Sequence, residues 1–220
     1  MNRHAIKRLE HWKDAKGRKP MIIRGARQVG KTWLMKEFGR TRFAKTAYVN
    51  FENNDRAKAI FEMDFDIARM ILALSAETGV DIQAEDTLLI FDEVQECPEI
   101  VTAIKFLVED GKYQYLLSGS LLGVELKDIR SVPVGYLSIL EMYPLDFREF
   151  CEANRVSQTV MDKLKECFEK KQPVDELIHE KMMELFRLYL IVGGMPAVVD
   201  AYIRTNNLKE VLRIQQGIVQ

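Results

Sequence analysis

Eight consecutive residues near the start of the chain restrict its fold more than any other feature. Residues 25–32 read GARQVGKT and match the pattern G-x-x-x-x-G-K-[ST] without a departure. They follow a short apolar run at residues 20–23, which predicts a buried strand, and they precede a helical pattern at residues 31–39. This order of strand, glycine-rich loop and helix predicts a loop that surrounds phosphate groups. A glycine-rich turn without a ligand is the alternative.

Each residue type in this loop suits the binding of a triphosphate. Glycines let the main chain curl closely around the phosphates, so that backbone N–H groups and the positive end of the following helix face them. Lys31 adds a positive charge for the β- and γ-phosphates, and the Thr32 hydroxyl can ligate Mg²⁺. The predicted nucleotide-binding residues are Gly25, Ala26, Arg27, Gln28, Val29, Gly30, Lys31 and Thr32.

Two carboxylates follow the strongest buried-strand pattern of the chain. Residues 87–91 are TLLIF, and Asp92 and Glu93 come directly after them. Ligands of open α/β sheets bind at the carboxyl ends of strands, so Asp92 is the candidate that reaches Mg²⁺ through its water shell. Glu93 is the candidate general base that polarises the attacking water. The alternative is that both acids only solvate a loop.

A third strand end supplies a candidate for sensing the γ-phosphate. The predicted strand at residues 113–117 continues into Ser118, Gly119 and Ser120. Ser118 is the preferred sensor and is grouped with Glu93 and Lys31 as a catalytic candidate, while Ser120 is the second choice. A plain turn explains the same residues without a function.

Strand and helix patterns alternate up to about residue 143, and only helical patterns follow. The predicted strands cover residues 20–23, 47–51, 87–91, 113–117 and 136–142. This alternation predicts a parallel sheet covered by helices on both faces. We therefore predict an α/β, P-loop NTPase fold with two domains. Residues 1–143 form the core, which begins with a helix, and residues 144–220 form a small α-helical lid domain that is expected to be incomplete.

Composition excludes several classes of protein. The 32 Lys and Arg residues balance 33 Asp and Glu residues, and a net charge of −1 gives no global reason to bind nucleic acid. The longest apolar stretch, residues 188–199, has 12 residues, whereas a membrane-spanning helix needs about 20. The first residues carry no apolar segment typical of a signal peptide. Cys97, Cys151 and Cys167 show no disulfide or zinc spacing, so a cytoplasmic location is expected.

Five segments together resemble the prokaryotic AAA-type, signal-transducing-like ATPase family whose members carry a C-terminal nuclease-like domain of unknown function. The segments are IIRGARQVGKT at residues 22–32, LLIFDEVQ at 88–95, LLSGSLLG at 116–123, MYPLDFREF at 142–150 and IVGGMPAVV at 191–199. The resemblance implies ATP binding with Mg²⁺, slow hydrolysis and a core sheet that carries a helical lid. Relatives continue past the point where this sequence stops, so the nuclease-like domain is expected to be absent.

Three further positions take their interpretation from this resemblance. The Gly-Met-Pro at residues 194–196 resembles the Gly-x-Pro motif of signal-transducing ATPases, which implies that Pro196 packs near the adenine. The alternative is a helix start, where proline is favourable. Many relatives have an arginine, a candidate trans-acting finger, after the glycine that corresponds to Gly135. Here Tyr136 takes that position. Arg130 is the nearest substitute, but a solvated arginine at a helix end is the preferred interpretation of it.

These observations predict an ATPase that binds MgATP, hydrolyses it slowly and uses it to drive a conformational switch of the lid. One alternative is a nucleotide-dependent interaction module that does not hydrolyse ATP, and another is a P-loop kinase. ATP and ADP are the expected ligands, together with a protein partner that the sequence does not identify. Handling of nucleic acid follows from family analogy alone, and the oligomeric state is left open.

Overall fold

The computed structural model describes residues 3–120 and 136–219. The chain divides into two compact units. The core unit comprises residues 5–142, and the helical unit comprises residues 3–4 together with residues 143–219. Among the helices of the described residues, none is both long enough and apolar enough to cross a membrane.

The core unit alternates helices and strands along the chain. Its helices are α1 (Ala5–Asp14), α2 (Lys31–Arg42), α3 (Asp55–Met63), α4 (Ile67–Thr78) and α5 (Glu99–Asp110). Its strands are β1 (Met21–Gly25), β2 (Lys45–Asn50), β3 (Thr87–Asp92), β4 (Gln114–Ser120) and β5 (Ser138–Glu141). A 3₁₀ turn at Val94–Glu96 joins β3 to α5.

The strands form one five-stranded sheet in the order β2-β3-β4-β1-β5, and every neighbouring pair is parallel. The predicted α/β class with a parallel sheet flanked by helices is therefore confirmed. Parallel pairing brings the carboxyl ends of all strands to one edge of the sheet. Because β4 lies between β1 and β3, the end of β4 is adjacent both to the loop after β1 and to Asp92 and Glu93 at the end of β3.

Buried aromatic side chains hold the end of β3 in place. Phe91 packs edge to face against Phe61 with ring centroids 5.6 Å apart, and it stacks on Tyr115 at 6.0 Å. Phe51 contacts Phe61 at 5.6 Å. Such pairs prefer defined ring geometries, so they fix the backbone position of Asp92, which follows Phe91 directly.

Strand β4 is longer than the sequence predicts. The small polar residues 118–120 suggested that the strand ends at Leu117, whereas it continues to Ser120. The reason is the neighbouring strand, since Ser118 pairs with Ile23 and Ser120 with Gly25. The backbone hydrogen bonds offered by β1 outweigh the weak strand propensity of these residues.

All helices and strands of the helical unit, in its described residues, are α-helices, as the pattern after residue 144 predicts. They are α6 (Phe147–Ala153), α7 (Gln158–Lys170), α8 (Glu176–Val192), α9 (Pro196–Thr205) and α10 (Leu208–Val219). Asp146 and Glu149 form a capping box at the start of α6. A small apolar core joins α6, α8, α9 and α10, and it is built on Leu145, Phe150, Val192, Val198, Val199 and Val211.

Candidate functional site

The loop at residues 25–32 connects β1 to α2 and depends on two glycines. Gly30 has φ 95°, and an ideal Cβ on Gly25 would lie 2.2 Å from the carbonyl oxygen of Met142. No side chain fits at such a distance, so the loop needs glycine where it leaves the sheet. Gln28 is also left-handed, with φ 64°, and Val29 is fully buried. The loop is therefore a compact turn anchored by an apolar side chain.

Lys31, the first residue of α2, is 5% exposed and folds back onto this loop. Its ammonium donates hydrogen bonds to the carbonyl oxygens of Gly25 at 3.0 Å and Ala26 at 2.9 Å. Burial lowers the pKa of Lys31, while the charges of Glu93 and Asp92 act in the opposite direction. The ammonium thus lies at the loop, close to two carboxylates.

Asp92 is 1% exposed and receives hydrogen bonds from three hydroxyl groups. Thr32 Oγ1 donates to Asp92 Oδ2 at 2.7 Å, and Tyr48 Oη donates to the same oxygen at 2.8 Å. Ser118 Oγ donates to Asp92 Oδ1. Burial, followed by the contact with Asp92, raises the pKa of Tyr48, so its hydroxyl stays a donor.

The contact between Thr32 and Asp92 places one hydroxyl oxygen and one carboxylate side by side, and both are possible ligands of a metal ion. Mg²⁺ prefers oxygen ligands and is commonly held by one or two carboxylates together with substrate phosphates and water. These two side chains therefore fit a magnesium ion bound beside a triphosphate.

Glu93 adopts the left-handed conformation, with φ 56° and ψ 51°. Its N–H donates to Ser118 Oγ at 3.2 Å, and its carboxylate oxygen Oε2 accepts a hydrogen bond from Gln95 Nε2 at 2.6 Å. Non-glycine residues in this conformation concentrate at functional sites. A cavity of about 220 Å³ opens beside it and is lined by Arg27, Gln28, Glu52, Glu93, Gln95 and Glu96.

The structure brings the loop, Asp92, Glu93 and Ser118 together within the core unit. Ser118 is fully buried inside β4 and bonds to Asp92, so its part in sensing phosphate stays a prediction. Pro196 is the first residue of α9 in the helical unit, and its contact with a base also stays a prediction. Arg130 and the side chain of Ser120 lie outside the described residues. Tyr136 donates a hydrogen bond to Glu109 at 3.5 Å.

Sequence reasoning missed two side chains of this site, Tyr48 and Gln95. A signal for Tyr48 exists, because side chains of a strand alternate between faces, and Tyr48 shares a face with Asn50. The parallel register pairs Tyr48 with Ile90 and Asn50 with Asp92, which brings the phenol to the acid. Gln95 has no comparable signal, since its contact depends on the left-handed backbone of Glu93.

Comparisons with known proteins cover both the sequence and the fold. The family model of the AAA domain matches residues 17–151. No curated protein matches the chain. Among solved structures, the Aeropyrum pernix ORC1 protein in complex with DNA is 13% identical, with a TM-score of 0.46 over 69% of this chain and 48% of that chain. C. elegans PCH-2 is 13% identical, with a TM-score of 0.47 over 95% of this chain and 63% of that chain.

The chain thus spans about half the length of the ORC1 chain and less than two thirds of the PCH-2 chain. The AAA domain match, by contrast, covers more than half of this chain and includes the phosphate loop, all five strands and the acids after β3. The chain therefore belongs to the AAA domain family.

Proposed function

We propose that the chain binds MgATP and hydrolyses it slowly, and that nucleotide binding drives a conformational switch of the helical unit. The observation that carries the proposal is the 2.7 Å contact between Thr32 Oγ1 and Asp92 Oδ2, beside the Lys31 ammonium. A hydroxyl and a carboxylate in contact next to a lysine on a phosphate loop suit a metal-bound triphosphate. The switch itself rests on the family resemblance.

Each residue has a separate task in this proposal. Lys31 exchanges its loop carbonyls for β- and γ-phosphate oxygens, which are stronger, charged acceptors. Thr32 and Asp92 would hold Mg²⁺, and the bound ion would neutralise charge on the phosphates. Glu93 lines the cavity beside the loop, where it orients a water molecule and accepts its proton.

The binding half of the proposal is tested by calorimetry with MgATP on the wild type and Lys31→Ala. Hydrogen bonds to charged groups contribute about 1.5–3 kcal/mol, so the variant should bind about 10- to 150-fold more weakly. Arg40→Ala is the matched control, because Arg40 is an exposed cation on the same helix whose partner is Glu37. Equal affinity of the wild type and Lys31→Ala would remove the proposal.

The hydrolytic half is tested by single-turnover assays on Glu93→Gln. The variant should keep its MgATP affinity and lose about 10²- to 10⁴-fold in rate, the share that a general base supplies. Glu96→Gln is the matched control, since Glu96 lines the same cavity and is exposed. An unchanged rate in Glu93→Gln would place the base elsewhere.

The same assays separate the proposal from its alternatives. A wild type that binds MgATP and returns it uncleaved would be a nucleotide-dependent interaction module. Release of inorganic phosphate without any added acceptor distinguishes a hydrolase from a P-loop kinase, which transfers the phosphoryl group to a second substrate.

A further inference from the structure

Gln95 lies on the 3₁₀ turn at Val94–Glu96 and contacts Glu93 directly. Its amide nitrogen Nε2 donates to Glu93 Oε2 at 2.6 Å. Its amide oxygen Oε1 is buried and has no hydrogen-bond partner among the described residues. That oxygen points at Gly119, where an ideal Cβ would lie 3.5 Å from it.

The orientation of this amide follows from the charge of Glu93. An ionised carboxylate only accepts hydrogen bonds, so Gln95 must turn its NH₂ group toward Glu93. The amide oxygen is then left against β4 without a donor. A buried acceptor without a partner costs free energy that an apolar side chain of the same size would avoid. The contact with Glu93 is the gain that offsets this cost.

A left-handed backbone and one further hydrogen bond fix the main chain of Glu93. Glu93 is left-handed, and its N–H is held by Ser118 at 3.2 Å. Gln95 completes the set by holding the end of the side chain, and both Gln95 and Glu93 line the cavity beside the phosphate loop. Of the two carboxylate oxygens of Glu93, Oε2 is the one that accepts the hydrogen bond from Gln95.

We propose that Gln95 is a positioning residue that holds the Glu93 carboxylate toward the phosphate loop for catalysis. This inference rests on the proposed hydrolysis. In that step the water oxygen forms a bond to the γ-phosphorus, and the bond from this phosphorus to the bridging oxygen of ADP breaks. The water proton passes to Glu93, and the products are ADP and inorganic phosphate. Without Gln95 the carboxylate samples other rotamers, and fewer encounters with the water are productive.

The test compares the wild type with Gln95→Leu, which keeps the size of the side chain and removes both the donor and the orphaned oxygen. We expect the single-turnover rate to fall about 10- to 100-fold, less than the 10²- to 10⁴-fold that loss of the general base itself costs, and the Kd for MgATP to stay within about threefold. Resistance to urea should be unchanged or higher. If the leucine variant does not fold, Gln95→Met, which has the length of glutamine without its donor, takes its place.

Gln83→Leu is the matched control. Gln83 Nε2 donates to Asp81 Oδ2 at 2.8 Å, which is the same contact between an amide and a carboxylate two residues earlier. Gln83 is exposed and precedes β3, at the opposite end of that strand from Glu93. Its substitution should leave both rate and affinity at wild-type values.

A double-mutant cycle separates positioning from a purely structural role. If Gln95 acts through Glu93, adding Gln95→Leu to Glu93→Gln should change the residual rate less than about twofold. An unchanged rate in Gln95→Leu, an equal loss in both backgrounds or a large loss of affinity would overturn the inference and leave the ATPase proposal standing. A wild type that binds MgATP without cleaving it would remove the hydrolysis proposal and this inference with it.

Discussion

The two units of the chain bury charged side chains in different ways. In the helical unit, Arg3 is 7% and Glu149 is 5% exposed, and the two form an ion pair at 3.1 Å. In the core unit, Lys31 bonds to backbone carbonyls and Asp92 bonds to hydroxyl groups. Among the described residues, no ion pair joins Lys31 to either acid of the site.

The pair in the helical unit is closed by further hydrogen bonds. Arg3 also donates to the carbonyl oxygen of Tyr143 at 2.6 Å, and Glu149 accepts from the backbone N–H of His4 at 2.7 Å. Each charge of this pair therefore already faces an opposite charge. In the core unit, by contrast, neutral groups hold Lys31 and Asp92, and in the proposed function a phosphate and a metal ion replace some of those partners. Burial alone therefore does not distinguish a functional charge from a structural one, and the proposal for Lys31 and Asp92 rests on their neutral partners as well as on their burial.

Breaking the Arg3–Glu149 pair should lower the free energy of unfolding most. Arg3→Met leaves Glu149 buried without its opposite charge, and breaking such a pair costs about 3–5 kcal/mol. Urea unfolding followed by circular dichroism measures this loss. Adding Glu149→Gln removes the remaining charge and should restore at least half of the lost stability. A loss below about 1 kcal/mol in Arg3→Met would show that the pair contributes no more than a surface ion pair does.

The sequence could predict the parts of the site that are local in the chain. The loop at residues 25–32 is a run of eight consecutive residues, and Asp92 and Glu93 directly follow an apolar strand. Their elements and the α/β class could be read from hydrophobic periodicity. The Arg3–Glu149 pair could not, because its partners are 146 residues apart and no periodicity joins them.

The other features that the sequence did not predict also depend on tertiary structure. The contact between Tyr48 and Asp92 depends on the register of β2 against β3, and the full length of β4 depends on its pairing with β1. The contact of Gln95 depends on one left-handed residue. Tertiary structure determines each of these features and overrides local propensity. Sequence patterns alone therefore predict the helices and strands but not these contacts.

A smaller loss of stability is expected when a glycine of either unit, Gly194 or Gly25, is replaced by alanine. An ideal Cβ on Gly194 would lie 2.1 Å from the Leu145 carbonyl oxygen, as one on Gly25 would lie 2.2 Å from that of Met142. In both cases the backbone must shift, and overpacking costs about 1–3 kcal/mol or more. Gly194→Ala should therefore lower stability, and Gly25→Ala should lower both stability and MgATP affinity, because only Gly25 belongs to the phosphate loop.

Gly217→Ala is the control for this pair, since a Cβ there meets nothing within 4 Å. Alanine in the last turn of α10 should leave stability unchanged or raise it by at most about 0.5–1 kcal/mol. Thermal unfolding and calorimetry of the three variants measure both quantities. Wild-type MgATP affinity in a folded Gly25→Ala would contradict the assignment of this loop to phosphate binding.

The smallest expected effect is at Tyr48, one of the neutral groups that hold Asp92. Tyr48→Phe keeps the aromatic ring, including its contact with the Lys36 ammonium 3.7 Å from the ring centroid, and removes one of three hydroxyl donors. Asp92 retains the hydroxyls of Thr32 and Ser118, so stability should fall by only about 0.5–1.5 kcal/mol. MgATP affinity should stay within about threefold, because Tyr48 is an exchangeable partner of the acid. A tenfold loss of affinity, measured by calorimetry, would show instead that the hydroxyl belongs to the nucleotide site itself.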